Sequence, residues 1–263
     1  MSRSLVHAAL IIASLPALAS GPNCGGAAKV EELRYSWRLR GGIRFVAGFL
    51  FPTRGEGNLR TVYPTGDGTS IHSELLITAT GGKKGGYYAY ESEMEATGAR
   101  TLMTFHAYEW GKKSRSERTI FDYVKRLARI RRETPEEVRD RVKKLPDSEE
   151  ELRDLLTAIH FLRRNAHAID APMQTTIYSD GKEYPVIFRP AGRRMFVIAG
   201  RTAAARGFEV VDAPGGRKWP GGVKVWLSDD ERRVPFRIEI EQSLASLQLD
   251  LESVDGCRGV AGS

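Results

Sequence analysis

Apolar and polar residues alternate along most of the chain between Leu33 and Glu133. A period of two with frequent β-branched and aromatic residues is typical of strands that bury one face. Short glycine-containing turns, such as Gly41-Gly42 and Gly98, separate the runs, and short turns predict antiparallel neighbours. The pattern predicts strands at 33–40, 43–51, 71–80, 87–96, 101–109, 118–124 and 127–133.

The spacing of apolar residues changes after Glu133. Thr134 and Glu137 have the spacing of a capping box with Pro135 at the first helical position, which predicts a helix at about 135–144. Ser148 and Glu151 have the spacing of a second capping box. After it, leucine and isoleucine recur three or four residues apart, which predicts a second helix at 149–164.

Strands resume after Pro172, at 173–178, 184–189, 195–199 and 223–227. The last two, near 236–241 and 247–252, alternate most regularly. Residues 54–57 are predicted as a turn and 65–70 as part of a long polar insert. Parallel α/β folds are excluded, because they need helices between successive strands. The chain is therefore predicted to be mainly β, a meandering antiparallel sheet with an inserted helical hairpin.

The first nineteen residues have the features of a secretory signal peptide. Arg3 precedes a short apolar run, and Ala17-Leu18-Ala19 forms a small-residue cleavage site. No later segment contains eighteen consecutive apolar residues. We therefore expect a periplasmic protein with a flexible segment at 20–32, a single β-rich domain at 33–252 and a flexible tail at 253–263.

The two cysteines, Cys24 and Cys257, lie near opposite ends of the chain. In an oxidising compartment such a pair is expected to form a disulfide, although two free thiols in flexible segments remain an alternative. A lipid-modified Cys24 is disfavoured, because Pro22 and Asn23 stand where small residues are needed.

The 263 residues include 40 basic and 33 acidic side chains, for a net charge of +7. Basic residues cluster at 112–115, 125–132 and 139–144. The charge is interspersed with acids and the protein is expected to be exported, so nucleic acid is not predicted as a partner. A surface for anionic lipid or glycan is one interpretation, and a solvated basic face is the other.

The sequence contains no recognised catalytic or cofactor-binding motif. It lacks a nucleophile elbow, a phosphate-binding glycine loop and a dinucleotide fingerprint, and its histidines do not have metal-ligand spacing. Glu91, Glu93 and Glu95 share one strand face, which is more typical of a solvated face than of a hydrolase. We therefore expect no enzymatic activity, no metal and no cofactor.

Aromatic residues are frequent on the predicted strands. Core packing accounts for most of them, but a curved sheet with bulky residues on its concave face could also hold an acyl chain. The candidates for lining such a site are Trp37, Phe45, Phe49, Phe105 and Trp226.

Three stretches of the chain resemble the exported bacterial proteins grouped as domain of unknown function 3108. These are residues 35–38 with Gly48, residues 154–163 and residues 224–235, and the resemblance spans about 33–252. It implies a strongly curved antiparallel sheet with helical cover, similar to the half-barrels of periplasmic lipoprotein-localisation carriers. It brings no catalytic residues.

Two functions are compatible with these features. The leading hypothesis is non-enzymatic binding of a hydrophobic or amphiphilic envelope molecule, such as a lipid, in the concave face of the sheet. The alternative is an envelope assembly or adaptor protein that contacts other envelope proteins and docks on anionic lipid or glycan through its basic surface.

Overall fold

The computed structural model describes residues 29–41, 53–66, 68–79, 86–111, 113–145, 151–166, 171–179, 181–241 and 246–256. These residues form fifteen strands and one helix. In chain order the elements are β1 (Lys29–Arg40), β2 (Arg54–Tyr63), β3 (Ser70–Ala79), β4 (Gly86–Glu95), β5 (Thr101–Trp110), β6 (Lys113–Asp122), β7 (Leu127–Glu133), β8 (Val138–Lys144), β9 (Leu152–Arg153), α1 (Leu155–Asn165), β10 (Met173–Ser179), β11 (Lys182–Ile198), β12 (Arg201–Asp212), β13 (Gly222–Ser228), β14 (Pro235–Glu241) and β15 (Ser246–Gly256).

All fifteen strands belong to one curved sheet that is not closed. Strand β8 forms one edge, and the order runs from β8 down to β1. Strand β15 lies next to β1, and the order then runs from β15 down to β9, which forms the other edge. Every pair is antiparallel except β9 with β10. Because β1 pairs with β15, the first and last described strands lie at the centre of the sheet. The predicted antiparallel, strongly curved sheet is confirmed.

The centre of the sheet is built on β1. Trp37 pairs with Leu249 of β15 on one side and with Gly55 of β2 on the other. Its indole Nε1 donates to the carbonyl of Thr78, at 2.8 Å. A Cβ at residue 55 would lie 2.4 Å from that nitrogen, so only glycine allows the ring to cross β2.

The concave face holds helix α1. Asp154 is its N-cap, and the side-chain carboxylate accepts from the backbone N–H of Thr157. Leu156, Ile159 and Leu162 are buried against the sheet. Each contributes about 1.5–3 kcal/mol by leaving water, and this burial holds the eleven-residue helix in place.

The strongest polar link between helix and sheet joins Arg163 of α1 to Glu31 of β1. Both guanidinium NH₂ groups donate to the carboxylate, at 2.7 and 2.9 Å, and the two residues are only 8% and 7% exposed. Burial would raise the pKa of Glu31, but the charge and hydrogen bonds of Arg163 hold it below its ordinary value. The pair is therefore ionised inside the protein.

Hydrogen bonds continue along the helix toward β3, β4 and β5. His160 is hydrogen-bonded to Ser73 at 3.0 Å, and burial lowers its pKa to about 3, so it is neutral. At the other end of the helix, Ser92 donates to Asp154. Burial raises the pKa of Asp154 to about 6, although bonds from Ser92 and Thr157 act in the opposite direction. The helix is thus fixed by polar contacts on this side and by apolar contacts on the other.

The predicted helix at 135–144 is wrong. Residues 138–144 form β8, which pairs with β7, and Thr134 to Glu137 form the turn between them. The Thr134 hydroxyl accepts from the N–H of Glu137, and the N–H of Thr134 donates to the Glu137 carbonyl. The capping-box residues therefore close a hairpin, since side-chain capping and turn formation use the same bonds.

The second helix is confirmed in position but begins later than predicted. Residues 152–153 form the short strand β9, and the helix starts after the N-cap Asp154 rather than after Ser148. The described residues therefore contain one helix, and the predicted helical hairpin is corrected to a single helix.

Other boundaries also differ from the sequence-based expectations. Strand β2 includes residues 54–57, which were predicted as a turn; β11 spans two predicted strands; and β12 was not predicted. The sheet includes residues 29–32 and 253–256, outside the predicted 33–252 domain. The signal peptide, Cys24, Cys257 and the predicted strand at 43–51 lie outside the described residues.

Replacing Glu31 with glutamine is expected to leave Arg163 buried without a counter-charge, and to lower the free energy of unfolding by about 3–5 kcal/mol. Glu32→Gln is the matched control, because Glu32 lies next in the chain and faces Arg60 at 3.7 Å with both side chains exposed. Its effect should stay within about 0.5 kcal/mol. Urea denaturation of both variants measures the difference, and equal stabilities would contradict this role of the buried pair.

Candidate functional site

The two edges of the sheet approach each other across a gap that we call the seam. Lys143 of β8 donates to the carbonyl of Gly181 in the turn between β10 and β11. Phe121 of β6 packs edge-on against Tyr178 of β10, with ring centroids 5.1 Å apart. These contacts join residues that are far apart in the chain, and they leave space beside them.

That space is a cavity of about 230 Å³, which we call the seam cavity. The concave faces of β4, β5 and β6 form one wall and the end of β10 forms the other. Its lining consists of Tyr88, Tyr90, Thr104, His106, Tyr108, Arg115, Glu117, Thr119, Tyr178, Ser179 and Gly181. Helix α1 does not line it, because the helix contacts β4 farther along, at Ser92.

Aromatic rings form a continuous row on one wall of the seam cavity. Tyr88 stacks on Tyr90 with centroids 6.5 Å apart, and Tyr90 stacks on His106 at 6.4 Å with an angle of 10° between the rings. The row follows from strand periodicity, since Tyr88 and Tyr90 lie two residues apart and Tyr90 pairs directly with His106. The row therefore offers both apolar ring faces and polar ring atoms to the cavity.

A carboxylate held by two arginines lies next to this row. Glu117 accepts from Arg115 at 2.9 Å and from Arg132 at 2.6 Å, and it is almost fully buried. Burial would raise the pKa of Glu117, but the hydrogen bonds from Arg132 and Arg115 lower it below its ordinary value. The group is therefore a fixed anion at neutral pH.

Tyr178 lines the cavity, and its side-chain hydroxyl is not satisfied by a hydrogen bond. The residue is 5% exposed, and its hydroxyl has no hydrogen-bond partner among the described residues. Burial, followed by the charges of Glu183 and Glu117, raises the pKa of Tyr178 to about 12, so the hydroxyl keeps its proton. A buried hydroxyl with no partner costs free energy, and a ligand in the cavity could supply the missing acceptor.

A second depression of about 280 Å³ adjoins the cavity, and we call it the basic groove. It shares Glu117 and Gly181 with the cavity and extends along β7 and β8. The groove is lined by Glu117, Ile130, Arg132, Arg139, Arg141, Val142, Lys143, Gly181 and Lys182. Two of the basic clusters noted in the sequence therefore contribute side chains to one site.

The structure does not bring the described candidate lining residues together. Trp37 is buried in the core beside Gly55. Trp226 lies opposite Gly207 on the other face of the sheet from Val225, where Phe196 covers it at 5.7 Å. Phe105 also faces away from the concave side and is covered by Arg118. Phe45 and Phe49 lie outside the described residues.

Neither a metal-binding cluster nor a membrane-spanning helix occurs among the described residues. Within the described ranges, no group of three or more histidine, cysteine, aspartate or glutamate side chains could hold a metal ion. In the same part of the chain, no helix has the length and apolar character needed to cross a membrane.

In the described part of the chain, the fold and the site define a mainly β protein with one curved, open sheet around one helix. A family model described as a protein of unknown function, DUF3108, matches residues 46–252. The chain belongs to this family, and the resemblance seen in the sequence is confirmed. The search of curated proteins finds no match.

A solved structure shares the fold. The crystal structure of a beta-barrel-like protein of domain of unknown function DUF1849 from Brucella abortus aligns with a TM-score of 0.57 and 10% identity. The alignment covers 88% of this chain and 98% of that one. At this identity the similarity concerns the fold alone.

Replacing Tyr178 with phenylalanine is expected to leave the ligand-free protein as stable as the wild type, or to stabilise it by about 1 kcal/mol, because the substitution removes an unpaired buried hydroxyl. The matched control is Tyr35→Phe. The Tyr35 hydroxyl is buried and donates to the Pro235 carbonyl at 2.9 Å, so its loss should cost about 1 kcal/mol. Urea denaturation distinguishes the two, and a clear loss of stability in Tyr178→Phe would show that its hydroxyl is satisfied.

Proposed function

We propose that this protein is an exported, non-enzymatic binding protein that takes the polar part of an amphiphilic envelope molecule into the seam cavity. One observation carries the proposal. The buried Tyr178 hydroxyl has no partner among the described residues, and Tyr178 lines a 230 Å³ space. Buried polar groups are almost always paired in folded proteins, so an unpaired hydroxyl on a residue that lines a cavity supports a site that is completed by a ligand.

The mixed lining supports an amphiphilic ligand. The ring faces of Tyr88, Tyr90 and Tyr108 offer apolar contact, while Thr104 and Thr119 offer hydroxyl groups. Small-molecule sites combine these features, in that aromatic surface gives contact area and a few polar groups fix the orientation. The concave face elsewhere is occupied by α1 and the core, which favours the seam as the binding region.

The protonation states of Glu117 and Tyr178 support binding by these two groups rather than acid–base catalysis. General acid–base chemistry uses a group whose pKa lies near the working pH. Glu117 has a lowered pKa, and the pKa of Tyr178 is raised to about 12, so neither group exchanges protons near neutrality. Export, inferred from residues 1–19, would deliver the protein to the periplasm, where lipids and their precursors are available.

Extraction and mass spectrometry of natively purified protein test the proposal with two adjacent tyrosines. Tyr88 lines the cavity, Tyr87 faces the opposite side of β4, and both are 38% exposed. We expect the wild type and Tyr87→Ala to carry the same co-purifying molecule, and Tyr88→Ala to lose most of it. Ligand-free protein in all three, or equal loading in both variants, would contradict the proposal.

A second candidate function is peripheral docking on an anionic membrane, in line with an envelope adaptor. The observation that favours it is the hairpin tip of β11 and β12. Met195 and Val197 are 60% and 71% exposed there, and Arg193, Arg194 and Arg201 lie on the same hairpin. Apolar side chains flanked by cations suit the surface of an anionic bilayer.

The docking function predicts that replacing both Met195 and Val197 with serine weakens binding to phosphatidylglycerol vesicles by about tenfold or more. The control replaces Ile120 and Val138 with serine, since these residues are also exposed but lie on β6 and β8. Binding by the wild type should also fall as salt rises. Co-sedimentation gives both values, and equal binding by the two double variants would rule out the hairpin as the contact.

A further inference from the structure

We infer that the molecule bound in the seam cavity carries a phosphate group, which the basic groove recognises. This inference deepens the proposed function and rests on it. The main observation behind the inference is that the groove lies next to the cavity. The two share Glu117 and Gly181, so a ligand whose ring lies against Tyr90 can extend a charged group toward β8.

The groove is strongly cationic. Five basic side chains line it, from Arg132, Arg139, Arg141, Lys143 and Lys182, against the single carboxylate of Glu117. Strand pairing explains the arrangement. Arg132 pairs with Arg139 and Ile130 pairs with Arg141, so alternate residues of β7 and β8 point to the same face. Like charges at such spacing repel each other, and a bound anion would relieve the repulsion.

Three of the five cations have partners. Arg132 donates to Glu117, Arg139 lies 2.6 Å from Glu137, and Lys143 donates to the Gly181 carbonyl. In contrast, the side chains of Arg141 and Lys182 have no ion pair or hydrogen bond with any residue that the structure describes. They line the same groove from opposite sides of the seam, and among the described residues both are available to hold an anion between them as a clamp.

Phosphate fits this clamp better than a carboxylate does. A phosphomonoester carries up to two negative charges and three acceptor oxygens, whereas a carboxylate carries one charge and two oxygens. The guanidinium of Arg141 can donate two parallel hydrogen bonds to phosphate oxygens, and Lys182 can add a point charge. The groove, with a volume of about 280 Å³, accommodates such a group next to the apolar side chain of Ile130.

The test is calorimetric titration of the purified full mature chain with glucose 1-phosphate, glucose and inorganic phosphate. The informative variant replaces Arg141 and Lys182 with glutamine. The control replaces Arg129 and Arg131 with glutamine, because these residues lie on the opposite face of β7 and the charge change is identical. Thermal denaturation of each variant verifies folding.

We expect the wild type and the control to bind glucose 1-phosphate more tightly than glucose, and the Arg141/Lys182 variant to lose about a hundredfold in affinity for the phosphorylated sugar. Where the wild type binds glucose 1-phosphate, equal affinity of that variant and the control, or glucose binding as tightly as glucose 1-phosphate, would overturn the inference. A co-purifying molecule without phosphorus would also overturn it while leaving the proposed function intact.

A parallel measurement distinguishes a lipid headgroup from a soluble phosphorylated compound. Vesicles of phosphatidylcholine with phosphatidic acid provide the lipid-borne phosphate. Binding to these vesicles that depends on Arg141 and Lys182, without binding of glucose 1-phosphate, assigns the phosphate to a lipid. The opposite pattern assigns it to a soluble molecule, and the absence of both binding events contradicts phosphate recognition.

Discussion

The buried ion pair between Arg163 and Glu31 is the interaction on which the arrangement of helix and sheet depends. Two charges removed from water are tolerated only when they are paired and hydrogen-bonded. Arg163 meets this condition with a bidentate contact to Glu31 and a further bond to the carbonyl of Arg232. The contact joins the last turn of α1 to the central strand β1 and to the loop before β14. One side chain therefore fixes the helix against both halves of the sheet.

The position of the helix determines where the interior remains open. Helix α1 fills the concave face over Ser73 and Ser92, and its hydrogen bonds use the polar groups of those strands. Beyond Ser92, β4 continues with Tyr90 and Tyr88 on the same face, but the helix among the described residues does not cover them. The sheet remains open at the seam, so this uncovered stretch forms a cavity rather than a core. The orphan hydroxyl of Tyr178 is a consequence of that geometry.

The sequence predicted the fold class and most strands because alternation is a local signal that burial on one face enforces. It did not predict β8, since Val138 and Val142 have the spacing of a helix face. The pairing of β8 with β7 depends on contacts between the two strands and not on the local sequence. Strand β2 was missed because Gly55 and Gly57 resemble a turn, whereas Gly55 is required by the Trp37 ring that crosses it.

The candidate site was less predictable than the fold. The tyrosines of β4 and the basic runs of β7 and β8 are visible in the sequence, but their meeting depends on the contact between Lys143 and Gly181, which no local pattern encodes. The aromatic residues chosen from the sequence, among them Trp37 and Phe105, were selected by ring size, and size alone does not distinguish the core from a cavity wall.

If the seam cavity and the basic groove form one ligand site, a crystal structure of the natively purified protein, obtained without refolding, should contain the ligand in both. We expect continuous non-protein density that lies against Tyr178 and extends to Arg141. Water alone in the cavity, with a bound molecule located elsewhere in the protein, would contradict this expectation.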